Sequence, residues 1–274
     1  MTVFDEPKID GHCHLLDPER HPYAPDAAYR PAGQELGTLA QYRQVMDAYG
    51  IRHALLVGPN SGYGLDNRCL LDAVEQGGGL FKGIAVAPPD LAPAALAELQ
   101  ARGIVGLAFN AALLGTAHYL QAGALLRELA RRDLLLSLQV EGDQLVELQP
   151  MLERSGVRVL VDHCGRPAAG RGLDQPGFRA LLALARSGRV AVKLSGFQKF
   201  STQPPPHEDT APYVKALLQA YGLQACLWAS DWPFLRAPQR IDVGPLLRGV
   251  ERLLPDPADR RRLFWETPRR WLGF

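Results

Sequence analysis

Two histidines, spaced two residues apart, stand near the start of the chain. His12 and His14 end an apolar run that begins at Ile9, and Asp10 precedes them at the same spacing. Side chains at positions i and i+2 of a strand point to the same face, so both imidazoles are expected in one cavity. Paired imidazoles hold metal ions or transfer protons, whereas a lone buried histidine is more often a packed core residue.

Two more ionisable groups follow apolar runs later in the chain. His163 comes directly after the run 157–162, with Arg166 three residues beyond it, and Asp231 follows the run 225–229. Both have structural interpretations as well. Asp162, His163 and Arg166 could form a loop ion-pair network, and Asp231 could cap a helix.

The chain alternates short apolar runs with longer amphipathic segments, which is typical of strand and helix units around a parallel sheet. The predicted strands are residues 9–14, 53–57, 81–86, 104–109, 134–139, 157–162, 190–194 and 225–229. The predicted helices are residues 36–49, 67–75, 94–102, 120–132, 144–154, 176–186, 210–221 and 243–254. Left-handed glycines are expected to end helices at Gly50, Gly77, Gly103, Gly156, Gly188 and Gly222.

Eight such repeats in 274 residues predict an α/β fold, a (β/α)₈ TIM barrel forming a single domain. An open doubly wound sheet is less suited, because no glycine-rich nucleotide fingerprint follows an early strand. Barrel closure makes the first and last strands neighbours. We therefore expect His12, His14 and Asp231 to meet, with His163 at the same end, as a metal site or an acid–base cluster. The loop 14–36 is long enough to cover that end.

Composition restricts the possible partners. Thirty Lys and Arg against twenty-nine Asp and Glu give a net charge of +1, which argues against nucleic acid as a partner. The basic run Arg260–Arg262 is interpreted as part of a terminal helix with aromatics against the barrel and arginines facing water. Apolar stretches are too short to cross a membrane, and four widely spaced cysteines with no signal segment predict a cytoplasmic protein. Oligomeric state stays open.

Four segments resemble the amidohydrolase superfamily, and within it the branch of the 2-pyrone-4,6-dicarboxylate lactonases. They are residues 9–14 (IDGHCH), 161–167 (VDHCGRP), 192–196 (VKLSG) and 230–233 (SDWP). Because they follow one another from the first strand to the eighth, the resemblance covers the whole chain. The early loop, with its Pro22–Pro25 and Tyr29–Pro31 segments, looks closer to the pyrone lactonases than to the sugar lactonases.

The resemblance implies that His12, His14, His163 and Asp231 are the catalytic residues. Asp231 would act as general base for water, while the three histidines polarise the lactone carbonyl. Metal-dependent members usually carry a further histidine at the end of strand five, where this chain has Gln139. Glutamine is a poor Zn²⁺ ligand, so hydrolysis with no required cofactor is favoured, with His12, His14 and Asp231 as the possible weak metal site.

A carboxylated lactone as substrate needs cationic and polar partners. Those predicted to bind it are Arg166, Lys199, Tyr29, Arg236 and Gln139. Lys193 is left between a site cation and a structural ion pair. The pyrone lactonases carry an arginine in strand four and a histidine after the Asp-Trp-Pro run, whereas this chain has Ala108 and Phe234. Arg236 or Arg30 would have to replace those contacts.

Two other functions remain open. One is a Zn²⁺-dependent amidohydrolase or non-oxidative decarboxylase on the same barrel, in which His12, His14 and Asp231 hold the ion and His163 is the acid–base group. The other is a catalytically silent ligand-binding barrel, since fold alone does not imply activity.

Overall fold

Strands and helices alternate along the chain in the predicted order. The structure, a computed structural model, describes residues 2–25, 27 and 29–274. The strands are β1 (Lys8–Cys13), β2 (Ile51–Val57), β3 (Phe81–Val86), β4 (Ile104–Asn110), β5 (Leu135–Gln139), β6 (Arg158–Val161), β7 (Val190–Leu194) and β8 (Cys226–Trp228). The longer helices are Leu39–Tyr49, Arg68–Gln76, Pro93–Ala101, Gly123–Arg131, Gln144–Ser155, Pro176–Leu184, Ala211–Tyr221 and Val243–Leu253.

All eight strands belong to one sheet with the order β1 to β8, which is the order of a TIM barrel. Parallel pairing joins β1 to β2, β2 to β3, and β4 through β7. The first strand also meets the segment after the last one, where Cys13 and Trp232 form a parallel bridge. There the amide of Asp231 donates to the carbonyl of His12 at 2.8 Å, and the amide of His14 donates to that of Trp232 at 2.7 Å. The predicted fold class is confirmed.

Packing divides the chain into two compact units. The first contains the residues up to Val86, together with Ala101–Ile104 and Leu227–Phe274, and the second contains Ala87–Gln100 and Val105–Cys226. In the first unit the buried core includes Ile9, Leu55, Leu56, Trp228 and Phe264. In the second it includes Phe109, Leu136, Leu160, Val192 and Leu217. That the chain is a single domain stays a prediction.

Five of the six glycines expected to end helices have positive φ: Gly50, Gly103, Gly156, Gly188 and Gly222. The prediction for Gly77 is wrong, because its φ is −70° and the chain reverses at Gly78 and Gly79 instead. Space explains this glycine. A Cβ on Gly77 would lie 2.4 Å from the Phe81 ring, so only glycine lets the ring pack there.

The last helical segments are Pro257–Arg261, the π-helical turn Arg262–Glu266 and Thr267–Leu272. Leu263 and Phe264 are fully buried, as expected for a docked apolar face. Arg260 corrects the expectation that the arginines face water. It is 5% exposed, and its guanidinium binds both carboxylate oxygens of Glu6. Nowhere in the described residues is a helix both long and apolar enough to span a bilayer.

Candidate active site

The two predicted histidines lie at the end of β1 with their ring nitrogens facing each other. His12 Nε2 and His14 Nε2 are 3.2 Å apart, and the rings meet edge to face. His14 Nδ1 lies 2.8 Å from the carbonyl oxygen of Val57 in β2. A carbonyl only accepts, so Nδ1 of His14 carries the proton and donates. Neutral His14 therefore presents the lone pair of Nε2 to its neighbours.

Asp231 completes this group from the other side of the strand junction. Its Oδ1 lies 3.7 Å from His14 Nε2 and 3.9 Å from His12 Nε2, and its side chain is 1% exposed. The backbone of Asp231 is left-handed, with φ of 63°. The hydrogen bond from its amide to His12 holds the residue in this conformation. The structure thus brings His12, His14 and Asp231 together, as barrel closure predicts.

These three residues satisfy a simple test for a divalent ion. Ligand atoms bonded at about 2.05 Å around a tetrahedral Zn²⁺ lie about 3.3 Å apart. The three separations here, 3.2, 3.7 and 3.9 Å, are near that value. The hydrogen bond from His14 Nδ1 to a backbone carbonyl is also the usual way in which a ligand imidazole is oriented. Two imidazoles and a carboxylate therefore fit such an ion.

The buried carboxylate of Asp10 links the end of β1 to the segment that follows β8. Its oxygens accept hydrogen bonds from the amide of His12 at 3.1 Å, from the amide and hydroxyl of Ser230 at 2.9 and 2.5 Å, and from the Tyr42 hydroxyl at 2.8 Å. Burial raises the pKa of Asp10, although these four donors act in the opposite direction. His12 is itself a catalytic candidate, and Ser230 directly precedes Asp231. Asp10 therefore helps to position both His12 and Asp231.

Only part of this role of Asp10 can be inferred from the sequence. Asp10 shares the two-residue spacing of the histidines, whereas nothing in the sequence connects it to Tyr42 or Ser230. Gly11 has a role of the same kind. A Cβ there would lie 2.9 Å from the backbone oxygen of Trp228, so glycine lets β1 approach β8 closely.

In the second unit, His163 follows β6 in a left-handed conformation with φ of 51°. Its ring is 1% exposed, and Nδ1 lies 3.0 Å from the hydroxyl of Ser195 after β7. Gly196 lies against the same ring, and a Cβ there would come within 2.6 Å of it. Ser195 and Gly196 thus fix the orientation of His163. The motif 192–196 contains both residues, but the sequence alone assigns them no task.

Two cations of this unit, Lys193 and Arg166, have carboxylate partners. Lys193 is fully buried, and its Nζ lies 2.9 Å from Asp162 Oδ1 and 2.9 Å from Ser137 Oγ. Of the two roles considered for Lys193, the structure shows the ion pair. Arg166 pairs with Glu141 at 2.8 Å, a carboxylate outside the loop network considered for Asp162, His163 and Arg166.

The remaining predicted binding residues occupy strand ends and loops. Gln139 is the last residue of β5, where it is half-buried and pairs in register with Asn110 of β4. Lys199 ends the 3₁₀ turn Phe197–Lys199 after β7 and is half-buried. Arg30 is exposed and donates to the carbonyl oxygen of Pro25 at 2.6 Å, within its own loop.

Tyr29 and Arg236 are in contact in the first unit. The Arg236 guanidinium carbon lies 4.3 Å from the centroid of the Tyr29 ring. The Tyr29 hydroxyl donates to Glu35, and Glu35 also accepts from the backbone amide of Arg236 at 2.6 Å. The phenol that was expected to donate to substrate is thus committed to Glu35.

Comparison with known proteins gives relatives of nearly the same length. The 4-sulfomuconolactone hydrolase of Rhizobium radiobacter is 31% identical over 274 residues, which are 96% of this chain and 89% of that protein. The 2-pyrone-4,6-dicarboxylate hydrolase of Comamonas testosteroni is 25% identical over 275 residues, with 96% and 88% covered.

A solved structure has the same fold throughout. It is a probable 2-pyrone-4,6-dicarboxylic acid hydrolase from Acinetobacter baumannii with citric acid bound, and it matches with a TM-score of 0.86 at 25% identity over 98% of this chain and all of that one. The model of the family described as amidohydrolase matches residues 9–274. That match runs from the second residue of β1 to the end of the chain and includes each of the catalytic candidates, and the chain therefore belongs to the amidohydrolase family.

Proposed function

We propose that the chain is a hydrolase that opens the ester bond of an acid-bearing lactone. The observation that carries this proposal is the cluster at the end of β1, where a buried carboxylate lies 3.7 and 3.9 Å from two imidazole nitrogens. This is the combination that acyl transfer to water needs, namely a base and neighbouring donors. Relatives that match 96% of the chain are named as hydrolases of 4-sulfomuconolactone and of 2-pyrone-4,6-dicarboxylate, which supports the choice of bond.

In the proposed mechanism Asp231 takes a proton from the attacking water, whose oxygen adds to the lactone carbonyl carbon. General-base help of this kind contributes about 10²–10⁴-fold. His12 and His163 donate hydrogen bonds to the carbonyl oxygen and stabilise its developing charge, whereas His14, predicted to share this task, accepts from His12 through its unprotonated Nε2. The ring C–O bond then breaks, and Asp231 returns its proton to the departing alkoxide. One water is consumed, and a hydroxy acid is released.

The contacts of His12 and His14 give them different proton states in this scheme. His14 Nδ1 donates to Val57, so neutral His14 offers a lone pair at Nε2. His12 Nε2, which faces that lone pair and Asp231, is then the nitrogen that carries a proton. His12 is thereby the neutral imidazole able to donate toward a carbonyl oxygen. His163, oriented by Ser195, is assigned the same task.

The substrate class in the proposal is a small lactone with a carboxylate or sulfonate group. Lys199 and Gln139 keep the binding roles predicted for them, at the ends of β7 and β5. Arg166 keeps its role only if substrate competes with Glu141 for the guanidinium. Ala108 and Phe234 still stand where the pyrone lactonases carry an arginine and a histidine. We therefore propose the class and leave the individual compound open.

A metal-dependent hydrolase is the second candidate, favoured by the spacing of the three donor atoms at the end of β1. His12, His14 and Asp231 would hold the divalent ion, which would supply Lewis acidity and lower the pKa of the attacking water. His163 is also buried, and its imidazole offers a nitrogen of the kind that binds such an ion. In this candidate Asp231 is a metal ligand, and His163 takes over as the acid–base group. For either candidate, we also propose the cytoplasmic location that the sequence predicts.

The experiment for the proposed function is Asp231→Asn assayed on carboxylated and sulfonated lactones. We expect kcat/KM to fall at least 100-fold, because asparagine cannot accept the proton of water. Asp133→Asn is the matched control. Asp133 is also left-handed, with φ of 54°, but it is 80% exposed and pairs with Arg158. Wild-type rates in Asp231→Asn would refute the assignment of the base.

Metal analysis and a chelator challenge separate the two candidates. Stoichiometric zinc with chelator-sensitive turnover selects the metal-dependent hydrolase, whereas full activity after chelation selects Asp231 acting alone. A protein that binds lactones tightly and turns over none of them corresponds to the silent binding barrel.

A further inference from the structure

Segments that follow three different strands of the first unit meet at Tyr29. Tyr29 lies in the loop after β1, and its carbonyl oxygen accepts a hydrogen bond of 2.9 Å from the amide of Gly62 in the segment after β2. Arg236 reaches the ring face from the segment after β8. Loops that follow parallel strands lie at the carboxyl end of the sheet, which is the end that carries His14 and Asp231.

The position of Arg236 relative to Asp231 is set by a tight turn. The amide of Phe234 donates to the carbonyl of Asp231 at 2.8 Å, and Phe234 and Arg236 both have positive φ, at 68° and 56°. Glu35 then fixes the backbone amide of Arg236 at 2.6 Å. Arg236 is therefore anchored at both its backbone and its guanidinium, five residues from the candidate base.

The guanidinium of Arg236 is held without using its hydrogen-bond donors. Within the described residues it makes no hydrogen bond and no ion pair, and it lies on the face of the Tyr29 ring. The exposed arginines nearby differ in this respect. Arg30 donates to two loop carbonyls, and Arg240 binds Asp242 at 3.1 Å. A guanidinium held by ring stacking with its N–H groups available is suited to bidentate binding of an oxyacid group.

We propose that Arg236, held on the Tyr29 ring, binds the acid group of the substrate and so makes the enzyme prefer anionic lactones. This inference rests on the proposed function. The ligand chemistry is a carboxylate or a sulfonate, both of which present two oxygens to the guanidinium fork. Glu35 is a positioning residue, because it binds the Arg236 backbone and the Tyr29 hydroxyl and leaves the guanidinium unpaired.

The test compares an acidic lactone with its uncharged methyl ester in wild type and in Arg236→Gln. We expect the ratio of the two kcat/KM values, acid over ester, to fall at least tenfold in the variant, mainly through a higher KM for the acid. Arg240→Gln is the matched control, because it removes an arginine of the same segment that already has a carboxylate partner. It is expected to keep the wild-type ratio.

Substitutions at Tyr29 test how the arginine is held. Tyr29→Phe keeps the ring face and is expected to keep most of the selectivity, whereas Tyr29→Leu removes the face and is expected to lower the ratio toward that of Arg236→Gln. Carboxylated and sulfonated lactones are assayed in parallel. A drop for one of them alone identifies the group that Arg236 binds.

Binding measurements keep this inference separate from the proposed function. Calorimetric titration of the acidic lactone into Asp231→Asn, with and without Arg236→Gln, is expected to show at least tenfold weaker binding when Arg236 is replaced. Equal binding together with an unchanged selectivity ratio would overturn the role of Arg236 even in an active hydrolase. Absence of turnover in wild type, with the loss of binding still present, would overturn the proposed function and leave Arg236 as an anion-binding residue.

Discussion

Strained backbone marks the two catalytic candidates that follow strands. Asp231 and His163 both have left-handed φ, at 63° and 51°, and Cys164 and Arg166 share this conformation. Such residues cost about 1 kcal/mol or more each, and they persist only where surrounding contacts determine them. Asp231 is held by its amide bond to His12, and His163 is packed between Ser195 and Gly196.

Gly196 offers a test of how closely His163 must be positioned. In Gly196→Ala the new methyl would lie 2.6 Å from the imidazole, so the ring must move, and we expect lactone turnover to fall at least tenfold. Gly188→Ala is the control, since its φ of 66° carries the same backbone strain with nothing within 4 Å of the added methyl. Both variants should lose about 1–2 kcal/mol of stability. Equal activity in the two would contradict the role assigned to His163.

At this scale the sequence predicts residue types better than their partners. The sequence itself shows that His12 and His14 are two residues apart and that Asp231 follows the last apolar run. The contact of Arg166 with Glu141 and that of Tyr29 with Glu35 depend on side-chain directions in loops, which no hydrophobic period encodes. For that reason the sequence constrains the binding residues less than the catalytic candidates.

Among the elements, the strands were predictable because each is a short apolar run between polar segments, and β3 and β7 have the predicted bounds. The bounds of the other six strands differ from the predicted ones by at most two residues. Gly77 shows where turn propensity misleads. A glycine that is required by the close contact with Phe81 looks, in the sequence, the same as a glycine that ends a helix. Close packing and left-handed backbone both select glycine, and only coordinates separate the two causes.

The junction of β1 and β8 yields an element-scale prediction at Gly11. In Gly11→Ala the methyl would meet the carbonyl oxygen of Trp228 at 2.9 Å and a methyl of Leu227 at 2.4 Å. Backbone atoms of a neighbouring strand cannot rotate away, so we expect a loss of about 1–3 kcal/mol in the free energy of unfolding and reduced lactone turnover.

Gly83→Ala in β3 serves as the comparison for Gly11→Ala. Its closest neighbour is the terminal methyl of Ile104, at 2.4 Å, which can change rotamer. Urea unfolding of the two variants is the measurement, and Gly11→Ala should be the less stable of the two. The reverse order would mean that β1 and β8 approach each other less closely than described.

At the scale of the whole molecule, the eightfold repetition of apolar runs and amphipathic segments predicts the fold class. It does not predict the contacts that join the first strand to the last helices. Glu6, Lys8 and Arg260 are charged residues that composition assigns to the surface. Arg260 binds Glu6 and two carbonyls of the preceding loop, and Lys8 Nζ donates to the carbonyls of Glu6 and Tyr49 at 2.6 and 2.9 Å beside the Phe264 ring. Buried cations need specific partners, and those partners are distant in sequence.

Lys8 makes the stability of this arrangement depend on pH. Burial lowers the pKa of Lys8 to about 8, with the nearby Glu6 acting in the opposite direction and Arg260 in the same direction. The unfolded chain keeps the ordinary value of 10.5. Below pH 8 both states bind the proton. Between pH 8 and 10.5 the unfolded state binds a proton that the folded state has released, so this residue makes the free energy of unfolding rise with pH.

Lys8→Met isolates this contribution, because methionine fills a similar volume and does not titrate. Between pH 7 and 9.5 the free energy of unfolding of wild type should rise by about 2 kcal/mol relative to that of Lys8→Met. Urea titrations at the two pH values measure the difference. Lys215→Met, which removes an exposed lysine from the helix Ala211–Tyr221, should follow wild type. Parallel pH profiles for wild type and Lys8→Met would mean that the Lys8 amine keeps its proton when folded, fully stabilised by its carbonyl acceptors.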